Sequence, residues 1–98
     1  MTGEMPARVL RAAEEIGQDF AGWRKVLGLT TEQVAERADI TRATLRKLER
    51  GDPTVGFHVV LRVARSLGIM EALTEALDPL NTDLGRARAG LINRQRVR

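Results

Sequence analysis

Hydrophobic positions recur at helical spacing along almost the whole chain, and β-branched residues nowhere alternate as a half-buried strand requires. At about 100° per residue, Val9, Ala13, Ile16, Phe20, Trp23 and Leu27 share one narrow stripe. They predict a first helix from Ala7 to Leu27, weakened at Gly17 and stopped by Gly28. The next start is marked by polar residues. Thr30-Thr31-Glu32-Gln33 has the form of a capping box, with Leu29 and Val34 at the flanking staple positions, and opens a short helix over Thr31 to Ala38. Asp39 occupies the turn. Ile40 and Thr41 then open a third helix, with Thr41 as N-cap and Ile40 and Leu45 as a second staple, which Gly51-Asp52-Pro53 ends near Arg50. A fourth helix over Gly56 to Leu67 gathers Phe57, Val60, Leu61, Ala64 and Leu67 on one side and stops at Gly68. A fifth runs from Met70 to Leu77 and ends at Asp78-Pro79. Beyond Leu80 the pattern weakens: Thr82 to Ile92 reads as one more helix, and Asn93 to Arg98 as a loose basic end.

The third helix divides into two faces. Arg42, Ala43, Arg46, Lys47 and Arg50 span an arc of about 140°, with Leu45 and Leu48 pointing the opposite way. An apolar back anchors such a helix to a core, while a front of long cations presents hydrogen-bond donors to an acidic groove. The major groove of B-DNA admits a helix of this width, and arginine can bond guanine O6 and N7 in bidentate fashion. A basic stripe alone is more often a solvated face. Two short helices joined by a tight turn, the second one basic, are what groove docking needs, and that joint pattern reverses the balance.

Composition sharpens this picture in a few respects. The 98 residues fit one domain, with a core of Leu, Val, Ile and Ala and with Phe20, Trp23 and Phe57 as the large rings. Trp23 lies mid-stripe and is expected in the core. There is no Cys, so a disulfide frame and a thiolate metal site are excluded. No apolar run is long enough to cross a bilayer, and Met1 to Arg11 lacks the apolar stretch of a signal peptide, so a cytoplasmic, nucleoid-associated location is expected. The net charge is +3, but five arginines (Arg86, Arg88, Arg94, Arg96, Arg98) and no acid lie between Leu84 and Arg98. The rest of the chain is therefore close to neutral, and its DNA affinity must come from local placement of charge. His58, the single histidine, sits with Arg62 and Arg65 on the polar side of the fourth helix and reads as a surface residue. No nucleophile with its base, no paired carboxylates and no metal or cofactor motif is visible, so no enzymatic role is expected.

Residues Gly28 to Ala38, followed by Ile40-Thr41-Arg42-Ala43-Thr44-Leu45-Arg46-Lys47-Leu48-Glu49-Arg50-Gly51, resemble the helix-turn-helix of the xenobiotic-response-element family, to which the phage lambda-type repressors belong. Phe57 to Gly68 is similar to the fourth helix of that family, so the resemblance covers roughly Ile16 to Ile69. It implies an all-α, five-helix, lambda-repressor-like bundle. The corresponding division is an N-terminal extension over 1–15, a DNA-binding domain over 16–78 and a basic extension over 79–98. It also implies that Arg42, Ala43, Arg46 and Lys47 face base edges or flanking phosphates, that Thr31 holds a phosphate, and that Thr44 touches the backbone. With Thr41 and Arg50 these complete the candidate DNA-contacting set. Arg24 and Glu49 are implied to form a buried structural ion pair. Two departures stand out. Asp39 occupies a turn position where the family usually has Gly, and Asp52-Pro53-Thr54 replaces a loop that often carries cations.

The expected partners are a palindromic double-stranded operator and a second copy of the chain, because symmetric operators and two-fold dimers go together in this fold class. Leu73, Leu77, Leu80 and Leu84 offer apolar surface for a dimer. The tail from Asp78 to Arg86, ending in Gln95-Arg96-Val97-Arg98, is similar to tails of HipB-like antitoxins, which implies a HipA-type kinase toxin as an alternative partner. The leading expectation is a dimeric repressor. An autoregulating antitoxin and a protein-interaction module without DNA binding are the alternatives.

Overall fold

The computed structural model describes residues 4–96, with side chains through Ile92. Arg98 and the side chains of Arg94 and Arg96, part of the tail reading, lie outside the described residues. The fold is all-helical among them: α1 (Ala7–Val26), α2 (Thr31–Ala38), α3 (Arg42–Glu49), α4 (Phe57–Leu67), α5 (Met70–Leu77), α6 (Asp83–Ala87) and α7 (Ala89–Arg96), with a 3₁₀ turn at Pro79–Asn81. None of these helices is long and apolar enough to cross a membrane.

The helix ends are set by backbone chemistry that the sequence announces. The capping box at α2 is complete: the Gln33 amide donates to Thr30 Oγ1 at 3.0 Å, and the Thr30 amide donates to Gln33 Oε1 at 2.9 Å. Four helices close with the same pair of backbone bonds, the amide after the left-handed residue reaching back to a carbonyl five residues earlier. The left-handed residue is Gly28, Gly51 or Gly68 in three of them and Asp39 (φ 59°) in the fourth.

The core is built from Phe20, Val34, Ala35, Ala38, Leu45, Leu48, Val59, Val63, Ala64 and Leu67, with Leu29, Ile40, Val55, Val60, Ile69 and Leu73 packed around it. Packing of α2 on α4 and of α1 on α3 dominates. Two expectations about rings are corrected here. Trp23 is 46% exposed and Ile16 51%, because α3 and α4 cover only the middle of the long α1, so Phe20 alone of its stripe is buried. Phe57 is 70% exposed, because the buried face of α4 (Val59, Val63, Ala64, Leu67) is rotated by about 70° from the one inferred from spacing. The single helix expected over Thr82 to Ile92 is two, broken at Arg88, whose amide closes on the Leu84 and Gly85 carbonyls. Gly85 and Gly90 weaken helix continuity on either side. Where a loose end was expected after Asn93, the α7 backbone continues to Arg96.

Gly17 has the opposite role from the weak point inferred from sequence. A Cβ there would strike the Leu48 carbonyl oxygen and lie 2.8 Å from that of Glu49 and 2.9 Å from the Gly51 nitrogen. From the other side, a Cβ on Gly51 would sit 2.5 Å from Glu14 Cα. Backbone meets backbone where α1 crosses the end of α3. Gly17→Ala is therefore expected to destabilise the chain by about 2 kcal/mol despite its better helix propensity, because neither backbone can yield. Gly22, in the same helix, has nothing within 4 Å of an added Cβ, so Gly22→Ala should stabilise by about 0.5–1 kcal/mol. Thermal melts of the two variants check the contrast; equal shifts would show that the crossing is not tight.

Candidate nucleic-acid interface

The elements that position the candidate face are the two short helices and the turn between them. Leu45 is fully buried and Leu48 nearly so, which fixes the back of α3. The N-cap hydroxyl of Thr41 accepts from the Thr44 amide at 3.1 Å and donates to Thr44 Oγ1 at 2.9 Å. Both hydroxyls are thus engaged in capping α3. Arg42, Ala43, Arg46, Lys47 and Arg50 are all exposed together on the opposite face.

The turn holds α3 at a fixed angle to α2. Asp39 is left-handed, its amide donates to Glu36 O at 3.2 Å, and the Ile40 amide donates to Ala35 O at 3.0 Å. Arg62 on α4 reaches the same corner, donating to Ala38 O at 3.4 Å with Asp39 Oδ2 at 3.7 Å. The capping box uses the amides of Thr30 and Gln33, leaving those of Thr31 and Glu32 as the free donors of the first turn of α2. Thr31 itself is half-buried and stands on α2, apart from the α3 cluster.

Arg24 and Glu49 meet in a fork. Nε donates to Glu49 Oε2 at 2.8 Å and Nη2 to Oε1 at 3.2 Å, while Nη1 donates to the Leu29 carbonyl at 3.2 Å. One guanidinium thus ties α1, the start of the α2 approach and the end of α3. The side chains retain 14% and 12% of their exposure, so the pair is largely rather than completely buried, a correction to its reading as buried. Hydrogen bonding to Glu49 raises the Arg24 pKa above its ordinary value, outweighing the opposing effect of burial.

The structure adds a cation that the sequence pattern did not single out. Lys25, in the last turn of α1, lines a shallow cleft together with Ala21, Arg24, Arg46, Glu49 and Arg50. It lies off the apolar stripe and far from α3 in sequence, and only its place beside Arg24 hinted at this position. The loop after α3 contributes the opposite charge. Asp52 Oδ1 accepts from the Thr54 amide at 2.9 Å and from its hydroxyl at 2.6 Å; these bonds hold the Asp52 carboxyl below the usual aspartate range, with Lys47 and Arg50 adding to the effect. His58 is exposed on α4.

Two short helices, a left-handed turn and a cationic outer face on the second helix make up a helix-turn-helix. Residues 7–77 match the family model described as a helix-turn-helix domain. The chain belongs to that family. Within this helix-turn-helix protein the motif is of the xenobiotic-response-element type, as its residues from Gly28 to Gly51 resemble. The protein is also similar to an uncharacterized HTH-type transcriptional regulator of Methanothermobacter thermautotrophicus, at 47% identity over 45 residues. That stretch is 46% of this chain and 65% of the relative, so the chain spans just under two thirds of the relative's length. No solved structure matches the chain.

The ion pair and the turn give separate stability expectations. Glu49→Ala leaves Arg24 largely buried with only Leu29 O as partner, and should cost about 3 kcal/mol by chemical denaturation. A midpoint equal to that of the unaltered chain would show that the pair does not hold α3. Asp39→Gly removes the steric cost of a left-handed Cβ and should stabilise by about 1 kcal/mol, since the exposed Asp39–Arg62 contact it loses is worth little.

Proposed function

We propose that this protein is a sequence-specific DNA-binding transcriptional regulator that seats α3 in the major groove. The observation that carries the reading is the α3 face itself: Arg42, Arg46, Lys47 and Arg50 are exposed on a helix whose back is locked into the core. An eight-residue helix is about 12 Å long, comparable to the width of the groove. Arg42 and Arg46 read base edges, with Ala43 allowing close approach. Lys47, Arg50 and Lys25 meet phosphate on the flank. The Thr31 hydroxyl, with the free amides of Thr31 and Glu32 and the dipole of α2, takes a phosphate on the other side. Thr41 and Thr44 act through the cap that orients the first turn of α3, and touch the backbone from there.

One α3 reads a half-site. A two-fold dimer on a palindromic operator provides the second copy and a spacing of about one helical turn, and repression follows from occupancy of the operator. The relative's description as a transcriptional regulator supports the regulatory part of this reading.

Binding to an operator selected from random duplexes tests it, with salt varied. Arg42→Ala and Arg46→Ala should each weaken specific binding by about 1–3 kcal/mol and relax preference at one position. Lys25→Ala and Thr31→Ala should weaken binding evenly across sequences. For Lys25→Ala the slope of log affinity against log salt should also become shallower by about 0.9. No sequence preference in the unaltered chain, or full affinity in both arginine variants, would remove α3 from the readout.

A further inference from the structure

Exposed apolar side chains include Val26, Phe57 and Leu77, and two further places pair such residues with charge. The first is a groove between α1 and α5, walled by Ile16, Phe20, Trp23, Ile69 and Leu73, with Asp19 as the charged side chain on its lining. The second is the extension beyond α5, where Leu84 is 64% and Leu91 49% exposed. The apolar residues packed against the core end at Leu73, well before these leucines.

The extension is nonetheless built. Asp78 Oδ1 accepts from the Leu80 amide at 2.9 Å, and the Asn81 side-chain amide donates to the Glu75 carbonyl at 2.7 Å. Thr82 caps α6 by accepting from the Gly85 amide at 2.9 Å. Arg86 donates to the Leu80 carbonyl at 3.0 Å and pairs with Asp83. Gly85 lies so close to the Pro79 backbone that no Cβ fits there. This corner is a fixed bracket that carries α6 and α7 off the end of α5, and α6 packs on the 3₁₀ turn.

We propose that the α1–α5 groove of one copy receives the α6–α7 extension of a second copy, and the reverse, with Leu84 and Leu91 covering the groove and Arg88 facing its acidic rim. The inference deepens the dimer proposed above and rests on it. Three observations favour this occupant. The groove is apolar with an acid on its rim, and Glu15 stands one helical turn before Asp19, while the extension exposes Leu84 and Leu91 with Arg88, and its sequence has no acid after Asp83. Within one chain Leu84 and Leu91 stay exposed while the corner at Asp78 to Arg86 is closed by its own hydrogen bonds, so the chain's own groove does not cover them. Docking on phosphate alone would leave both leucines in water. Two grooves and two extensions related by a two-fold axis close the assembly.

Trp23, the single tryptophan, lies in the groove and reports its occupancy. Sedimentation velocity and Trp23 emission, neither of which involves DNA, are followed together over a dilution series. The full chain should be dimeric, with Trp23 emission shifting to the red as it dissociates. Leu91→Glu and Ile16→Glu should each raise the dimer dissociation constant by about tenfold or more, with unchanged helical circular dichroism. Should Ile16→Glu unfold, Asp19→Arg on the exposed rim takes its place. The deciding sample is the mixture of the two variants. In a reciprocal exchange one intact extension meets one intact groove, so the mixture should recover a heterodimer that neither variant forms alone. A dimer that survives Leu91→Glu, or two monomeric variants that fail to rescue each other, overturns the exchange while leaving a dimer by another face. If such a surviving dimer loses DNA affinity on Arg88→Ala, the arginines belong to phosphate. A full chain that is monomeric with Trp23 shielded overturns the dimer itself.

Discussion

The close approach of two backbones, where Gly17 of α1 meets the carbonyl end of α3 and Gly51 meets Glu14, is the constraint on which the rest of the molecule depends. At that distance α3 has no freedom to slide along α1 or to roll on it. The Arg24–Glu49 fork lies less than two turns further along α1 and blocks rotation about the contact. A steric stop and a directional ion pair fix different degrees of freedom, and together they hold an eight-residue helix, marginal by itself, in one orientation on the body.

The same economy governs the other face of the motif. Groups that would otherwise contact solvent at the helix ends are committed to caps: Thr30 and Gln33 to each other, Thr41 to Thr44, and Asp52 to Thr54. The donors that remain free, Thr31 and Glu32 on α2 and the long cations of α3, are those the proposed function needs. Asp52 sets an anion beside Lys47 and Arg50, which limits the cationic field to the exposed face of α3 and away from the loop.

Much of this was legible because it is local. Caps, staples and stop signals act within about five residues, and the bounds of α2 and α5 follow from them directly. The left-handed backbone at Asp39 follows instead from the resemblance, since the family usually has Gly at that turn position. The orientation of helices about their own axes was not legible. Which of the residues on α4 face inward depends on where α2 lies, so Phe57 fell outside the core and Val59 and Val63 inside it. Trp23 misled in a similar way: a stripe at helical spacing tells which side is apolar, but not how far along the helix a neighbour extends to cover it. Gly17 read as a weakness because its partner, the Leu48–Gly51 segment, is more than thirty residues away. Lys25 was passed over for the same reason, since only the fold brings it to Arg46 and Arg50.

All buried positions among the described residues lie between Gly17 and Leu67. The connections inside that stretch are short, and its main contacts pair alternate helices, α1 with α3 and α2 with α4. The segment beyond Leu77 adds no fully buried position to it among the described residues. The segment through which copies would join under the proposal thus lies outside the buried core. Folding and the proposed assembly are in this way assigned to different parts of the chain, so a change in the extension could alter association without unmaking the body.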